Sequence, residues 1–427
     1  MTDLALLFGA LLALLALGLP IFLAMAGASL AYALVTGAVP SAVLAQSLVS
    51  GMNSYVFVAV PFFFLAGEII GRAGIGARLF AFAGALVGHR RGGLSHVNVL
   101  TNVAFAGVSG SAVADAAAIS GIIVPQMRAK GYPAAYAAAI TGAGATIGPI
   151  LPPSIPMLIY ALFTGASVVQ LFMAGIVPAL MMAAGLIAVG AAIARRRGFP
   201  AGVRASWAET WAAARAASLG LLMPVIVLLG LRFGLATATE IGALLVIYAA
   251  LVGLLAYRSM TLRDLGLCLA RAARGSAALL VIVAGAGAFV WILATAGLGD
   301  AVAGRIAAAG LSGTATLLLI AAVVLVLGTM LDPVTILVLL GPLLLPAVTA
   351  SGIDPVQFGV VLILASVIGL LTPPVGVILY LVAAGAGEPV TRVIRELVPM
   401  LGVLVAVLAI AALVPWVTVG FAGWVTG

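Results

Sequence analysis

The residues of this chain whose types and spacing could do chemistry are mainly backbone breakers set beside hydroxyls. Ile147-Gly148 followed by Pro152-Pro153 recurs 221 positions later as Ile368-Gly369 followed by Pro373-Pro374, and Gly107, Pro125 and Gly131 map by the same offset onto Gly328, Pro346 and Gly352. Proline lacks an amide donor and clashes with the preceding turn, so each diproline must interrupt its helix and release carbonyls. Inside a bilayer such carbonyls are tolerated only when buried in protein or lining a cavity. Carbonyl oxygens next to hydroxyls suit a hard cation. Sodium fits better than a transition metal, because two histidines and one cysteine cannot supply a nitrogen and sulfur cluster. The amide ends of the half-helices, positive by the helix dipole, would face an anionic solute.

Two further clusters could complete such a site. Ser109-Gly110-Ser111 supplies hydroxyls and a permissive backbone, and Asp332-Pro333 with Thr335 occupies the equivalent place, Asp332 aligning with Ser111 at the same offset of 221. Acidic groups at membrane depth are costly and are functional candidates by default. Asp332 is therefore the foremost candidate. Asp115 ranks second, with a local cap or hydrogen bond inside its own hairpin as the plainer reading. Ser109 and Ser111 also have a plain reading, as small residues for close helix contact. Glu68 reads equally as a helix-end acid, Glu240 as a first-turn acid, His89 and His96 as interfacial residues, and Arg195 to Arg197 as a topology anchor.

The elements that must position these residues are membrane helices. With 65% hydrophobic residues, 7% charged residues and a mean hydropathy of +1.35, the chain cannot make a water-soluble surface. The net charge of +8 lies in short basic tracts between apolar runs, which are orientation signals and no footprint of nucleic acid. Cys268 is the single cysteine, which excludes an internal disulfide. Met1 to Leu7 carries no Lys or Arg, so the first helix is expected to stay rather than be cleaved as a signal peptide. Apolar runs predict spans near 4–18, 20–36, 55–71, 134–163, 168–194, 218–234, 239–257, 276–297, 356–384 and 397–419. Two more stretches, 94–127 and 312–348, are expected to be re-entrant hairpins. Starting outside, this topology leaves only Arg232 and Arg305, of 19 Lys and Arg residues, on the outer face. Both termini are then periplasmic, corresponding broken helices run in opposite directions, and the repeats are inverted. Ile75 to Gly88 and Trp207 to Ser218 are expected to lie along the cytoplasmic interface, with Asp300 to Ala309 as the outer counterpart of the first.

Five regions result: N-terminal scaffold helices (1–71), a first repeat core (72–163), scaffold helices with an interfacial helix (164–275), a second repeat core (276–385) and a C-terminal helix (386–427). The fold class is an all-α polytopic membrane protein of two inverted repeats, each with a re-entrant hairpin and a broken helix.

These motifs carry a resemblance. Gly107 to Asp115 reading GVSGSAVAD, Gly144 to Tyr160 reading GATIGPILPPSIPMLIY and Gly369 to Gly376 reading GLLTPPVG resemble the large membrane subunit of tripartite ATP-independent periplasmic (TRAP) transporters, as do the basic loop at 89–93 and Ile353-Asp354-Pro355. The resemblance covers essentially the whole chain. It implies an elevator-type secondary transporter of the ion transporter superfamily, driven by sodium, in the bacterial inner membrane. It further implies a small membrane subunit and a periplasmic binding protein that delivers a small organic anion, such as a dicarboxylate or sialic acid.

Carried onto this sequence, the resemblance implies one sodium site from Ser109, Gly110 and Ser111 with Gly144, Thr146, Ile147, Gly148 and Pro149. A second would use Asp332, Thr335, Gly369, Thr372 and Pro373. Pro333 and Val334 depart from the small residues expected after Asp332. Ser111, Asp115, Pro152, Pro153, Ser154 and Pro374 are expected to face the solute. The rival readings are a carboxylate transporter that needs no binding protein, and an intramembrane serine protease suggested by Gly107-Val108-Ser109-Gly110. The protease would need a histidine base, yet both histidines precede Ser109.

Overall fold

A computed structural model describes residues 2–426, and among them there are helices and no strand. The chain begins with α1 (Thr2–Ala16), α2 (Ile21–Thr36), α3 (Ser41–Ser50) and α4 (Tyr55–Arg72). A first unit follows: α5 (Ile75–Val87), α6 (Gly93–Ser109), α7 (Ala112–Ala129), α8 (Ala134–Ala145), α9 (Ile155–Thr164) and α10 (Val168–Arg197). Next come α11 (Trp207–Arg232), α12 (Ala238–Leu251), continued by a π-turn, and α13 (Leu262–Thr295). The second unit is α14 (Leu298–Ala308), α15 (Gly313–Gly328), α16 (Pro333–Ala350), α17 (Pro355–Gly369), α18 (Val377–Ala386) and α19 (Val390–Leu413), and α20 (Val419–Thr426) closes the chain. Among the described residues, seven helices are long and apolar enough to cross a membrane.

The duplicated motifs belong to duplicated structure. α7 and α16 start 221 residues apart, at 112 and 333, and α8 and α17 do the same at 134 and 355. Gly131 and Gly352, paired by that offset, both adopt the left-handed backbone, with φ of 82° and 74°, ahead of α8 and α17. Only glycine takes that conformation without strain. Contacts between the units are reciprocal: α7 packs on α18 as α16 packs on α9, and α8 packs on α19 as α17 packs on α10. Reciprocal pairing of this kind is what a two-fold relation between like parts produces. Tyr160 of α9 joins the units, its buried ring lying on Gly359 and its hydroxyl donating to the Pro355 carbonyl at 2.6 Å.

Three boundaries differ from the sequence expectation, and one helix is added to it. Trp207 to Ser218 forms no separate interfacial helix but is the first part of continuous α11, because Ser206 and Glu209 form a capping box there and nothing breaks the helix near 218. The span expected at 276–297 begins at Leu262, where Thr261 and Asp264 form another capping box. The span expected at 397–419 ends at Leu413, followed by a 3₁₀ turn at Pro415–Val417. α3 answers to no expected element; its ten residues are too short to span.

Candidate functional site

The first hairpin tip is built on the first break. α6 ends at Ser109, Gly110 turns the chain with φ 61°, and Ser111 caps α7 by accepting the Ala114 amide at 3.4 Å. A Cβ on Gly110 would lie 2.6 Å from the Pro153 carbonyl oxygen, so the tip touches the diproline backbone directly. Asp115 is fully buried behind the tip. Its Oδ1 accepts the Ser109 hydroxyl, while Oδ2 has no hydrogen-bond partner and lies against Gly148 of the break.

The break itself frees the backbone as the two prolines require. Among the described residues no backbone amide donates to the carbonyls of Thr146, Gly148, Pro152 or Pro153. Ser154 resumes the helix as the cap of α9, accepting from the Met157 amide at 3.2 Å and donating to the Pro149 carbonyl at 2.5 Å. The Thr146 hydroxyl donates to the Ala143 carbonyl at 2.6 Å. Behind these runs a polar ladder that the sequence reading missed. Asn102 donates to Asn98 at 2.9 Å, Asn98 donates to Thr141 at 2.7 Å, and the Asn102 side chain presses on Gly144. Two asparagines four residues apart in an apolar hairpin were the available signal.

The second tip and break share the plan with different chemistry. Asp332 is exposed and caps α16, Oδ1 accepting the Thr335 amide at 3.1 Å and Oδ2 the Thr335 hydroxyl at 2.5 Å. The break is tied to the tip by the Gly376 amide, which donates to the Thr329 carbonyl at 3.0 Å. The Thr372 hydroxyl donates to the Ile368 carbonyl at 2.7 Å. α15 and α17 meet backbone to backbone: a Cβ on Gly369 would come within 2.6 Å of Gly328. Both diprolines, Pro152-Pro153 and Pro373-Pro374, have cis peptide bonds.

Both tips and both breaks border one cavity of about 200 Å³. Gly110 and Ser111 reach it from the first tip, Asp332 and Pro333 from the second, and Pro149 and Leu370 from the breaks. Phe64 of α4 and Leu279 of α13 also line it. Of the residues expected to face solute, Ser111 lines this cavity; Asp115, Pro152, Pro153, Ser154 and Pro374 are not among its lining. The two acids differ in setting: Asp115 is buried and hydrogen-bonded inside its own hairpin, as its plainer reading has it, with one oxygen left without a hydrogen-bond partner, and Asp332 is exposed.

The capping role of Asp332 predicts a specific stability pattern. Asp332→Ala is expected to cost about 1 kcal/mol, whereas Asp332→Asn, an equally good cap, costs almost nothing. Thermal unfolding of the purified protein checks this, and equal losses for both variants would show that the cap is not what matters.

The family model described as the tripartite ATP-independent periplasmic transporter, DctM component, matches residues 8–417. The 2,3-diketo-L-gulonate TRAP transporter large permease protein YiaN of Escherichia coli is 36% identical over 409 residues, covering 95% of this chain and 96% of that protein. The sialic acid TRAP transporter large permease protein SiaM of Vibrio cholerae is 36% identical over 407 residues, covering 95% of each. Among solved structures, the Alcanivorax borkumensis YdaH transporter superposes with a TM-score of 0.65 at 16% identity, covering 90% of both chains. That likeness is one of fold alone.

Proposed function

The chain belongs to the DctM component family of tripartite ATP-independent periplasmic transporters, and from that premise we propose that it couples import of a small organic anion to the sodium gradient. The observation that carries the proposal is the convergence of two hairpin tips and two helix breaks on one cavity. Backbone opened at two related places supplies oxygen ligands for cations and amide ends for an anion.

The first sodium site would be made by the Ser109 to Ser111 tip with Gly144, Thr146 and the carbonyls of Ile147 to Pro149, and the free oxygen of Asp115 supplies its negative charge. The second would use Asp332 and Thr335 with Gly369, Thr372 and Pro373. YiaN and SiaM are named for organic acids, 2,3-diketo-L-gulonate and sialic acid, which supports a carboxylate solute here. A periplasmic binding protein would deliver it, and a small membrane subunit would brace the permease in the bacterial inner membrane. The hairpins and broken helices would move as a body past α4, α10 and α13, in the elevator manner. The distribution of basic residues supports a periplasmic position for both termini.

The protease reading loses its support at Ser109. Its hydroxyl is donated to Asp115, and His96 lies near the far end of α6, about 20 Å away at the rise of a helix. A nucleophile needs its base within hydrogen-bond reach.

Reconstituted proteoliposomes containing this chain, the small subunit and its binding protein test the proposal. Labelled sialic acid and C4-dicarboxylates are expected to accumulate under an inward sodium gradient for at least one of these solutes. Uptake of equal size under a potassium gradient would overturn sodium coupling, and uptake that needs no binding protein would favour the simpler carboxylate transporter.

A further inference from the structure

We propose that Arg271 and Glu68 form an exchangeable ion pair that receives the carboxylate of an anionic solute just outside the central cavity. This rests on the reading of the chain as an anion transporter. No basic side chain is among the residues lining the central cavity. Beside it lies a wider vestibule of about 550 Å³, which shares Phe64 and Ser111 with the cavity and is lined by Glu68, Arg72 and Arg271.

The charged wall of the vestibule is an antiparallel seam of α4 and α13. Phe64 faces Gly275, Glu68 faces Arg271, and Arg72 faces Asp264. Phe64 is therefore the boundary between the chambers, and Glu68 lies one helical turn beyond it. On α13, Arg271 is eight residues from Leu279 of the cavity wall, about 12 Å along the helix. A solute leaving the cavity by this face meets Arg271 before it meets Arg72.

The two ion pairs of the seam differ in how firmly they are made. Arg72 donates to Asp264 from Nε at 2.7 Å and approaches it with Nη2 at 2.5 Å. Asp264 is itself held by the Thr261 amide at 2.9 Å and hydroxyl at 2.8 Å. Arg271 reaches Glu68 only at 3.8 Å, with its side chain 61% exposed. A pair that long and that open contributes about 0–1 kcal/mol. A carboxylate in the vestibule can offer the guanidinium two parallel hydrogen bonds, a better arrangement than Glu68 has. Once Arg271 is taken, Glu68 stands uncompensated and disfavours a second anion behind the first. Arg72, already satisfied by Asp264, fixes the wall.

Thiol chemistry in the vestibule tests this without any transport step. Ala114 lines the vestibule and is exposed; Ala114→Cys would be alkylated with an anionic and a cationic methanethiosulfonate of similar size. Native Cys268, 1% exposed, supplies only a background rate. The anionic-to-cationic rate ratio is expected to fall about five-fold in Arg271→Gln and to rise about five-fold in Glu68→Gln, as local potentials of a few kT require. Arg271→Lys is expected to restore the ratio, and succinate is expected to slow alkylation in the parent but not in Arg271→Gln. A neutral reagent, reacting at one rate throughout, checks that the vestibule keeps its shape. A ratio insensitive to both substitutions, or succinate protection that survives Arg271→Gln, overturns the proposal. Because neither gradient nor partner is present, that failure is separate from a failure of sodium-driven uptake.

Discussion

Asp115→Asn is expected to abolish sodium-driven uptake while leaving the protein folded. The side chain is fully buried, and its two oxygens have different roles: one accepts the Ser109 hydroxyl and the other faces Gly148 with no hydrogen-bond partner. A buried carboxylate oxygen left open is costly unless something positive completes it. Under the proposed function that partner is sodium, held also by the carbonyls of the break. Asparagine keeps the shape and can still accept from Ser109, so packing survives. The charge is lost, and removing one partner of a buried pair costs about 3–5 kcal/mol, which corresponds to a loss of about two to four orders of magnitude in cation affinity. Uptake against sodium concentration measures it. Wild-type sodium dependence in Asp115→Asn would remove this residue from the cation site.

The second large effect is structural. Gly369→Ala is expected to lower the thermal stability of the protein sharply, because the new methyl would meet the Gly328 backbone and the Leu325 carbonyl, at 2.6 Å and 2.7 Å. Backbone cannot turn aside as a side-chain tip can, so overpacking here costs about 1–3 kcal/mol or more. Gly402→Ala is the control, since nothing lies within 4 Å of its would-be Cβ in α19. That change is expected to be neutral or to stabilise by up to about 1 kcal/mol through helix propensity. Melting curves of the two variants in detergent decide the matter; similar curves would mean that the crossing of α15 and α17 is looser than the packing indicates.

Much of the site was legible in the sequence because proline and glycine act through the backbone. Pro152-Pro153 and Pro373-Pro374 each end a helix wherever they stand, and Ser109-Gly110-Ser111 and Asp332-Pro333 each mark a turn with a cap. A constant offset then paired the two sets. What could not be read depends on neighbours distant in sequence. Asp115 and Asp332 look alike as acids in apolar segments, and only the approach of Gly148 makes the first buried and incompletely bonded. The Asn98 to Thr141 ladder needs α6 and α8 side by side. Glu68 reads equally as a helix-end acid or a site acid in sequence, and only α13 brings Arg271 opposite it. The continuity of α11 across 218 was hidden for another reason: the Trp and Arg residues of its first turns suggest an interface, but no residue there stops a helix.

Ser111 is the residue at which the account is most exposed, because it caps the first tip and lines both the central cavity and the vestibule. The most direct test puts the probe two residues on, at Val113 of the cavity wall, and leaves Ser111 in place: the maleimide reactivity of Val113→Cys in the purified protein, measured in sodium and in potassium at equal ionic strength. The account predicts that sodium slows labelling markedly by ordering the tip on the break, and that Asp115→Asn removes the difference. Labelling at the same rate in both salts would contradict it.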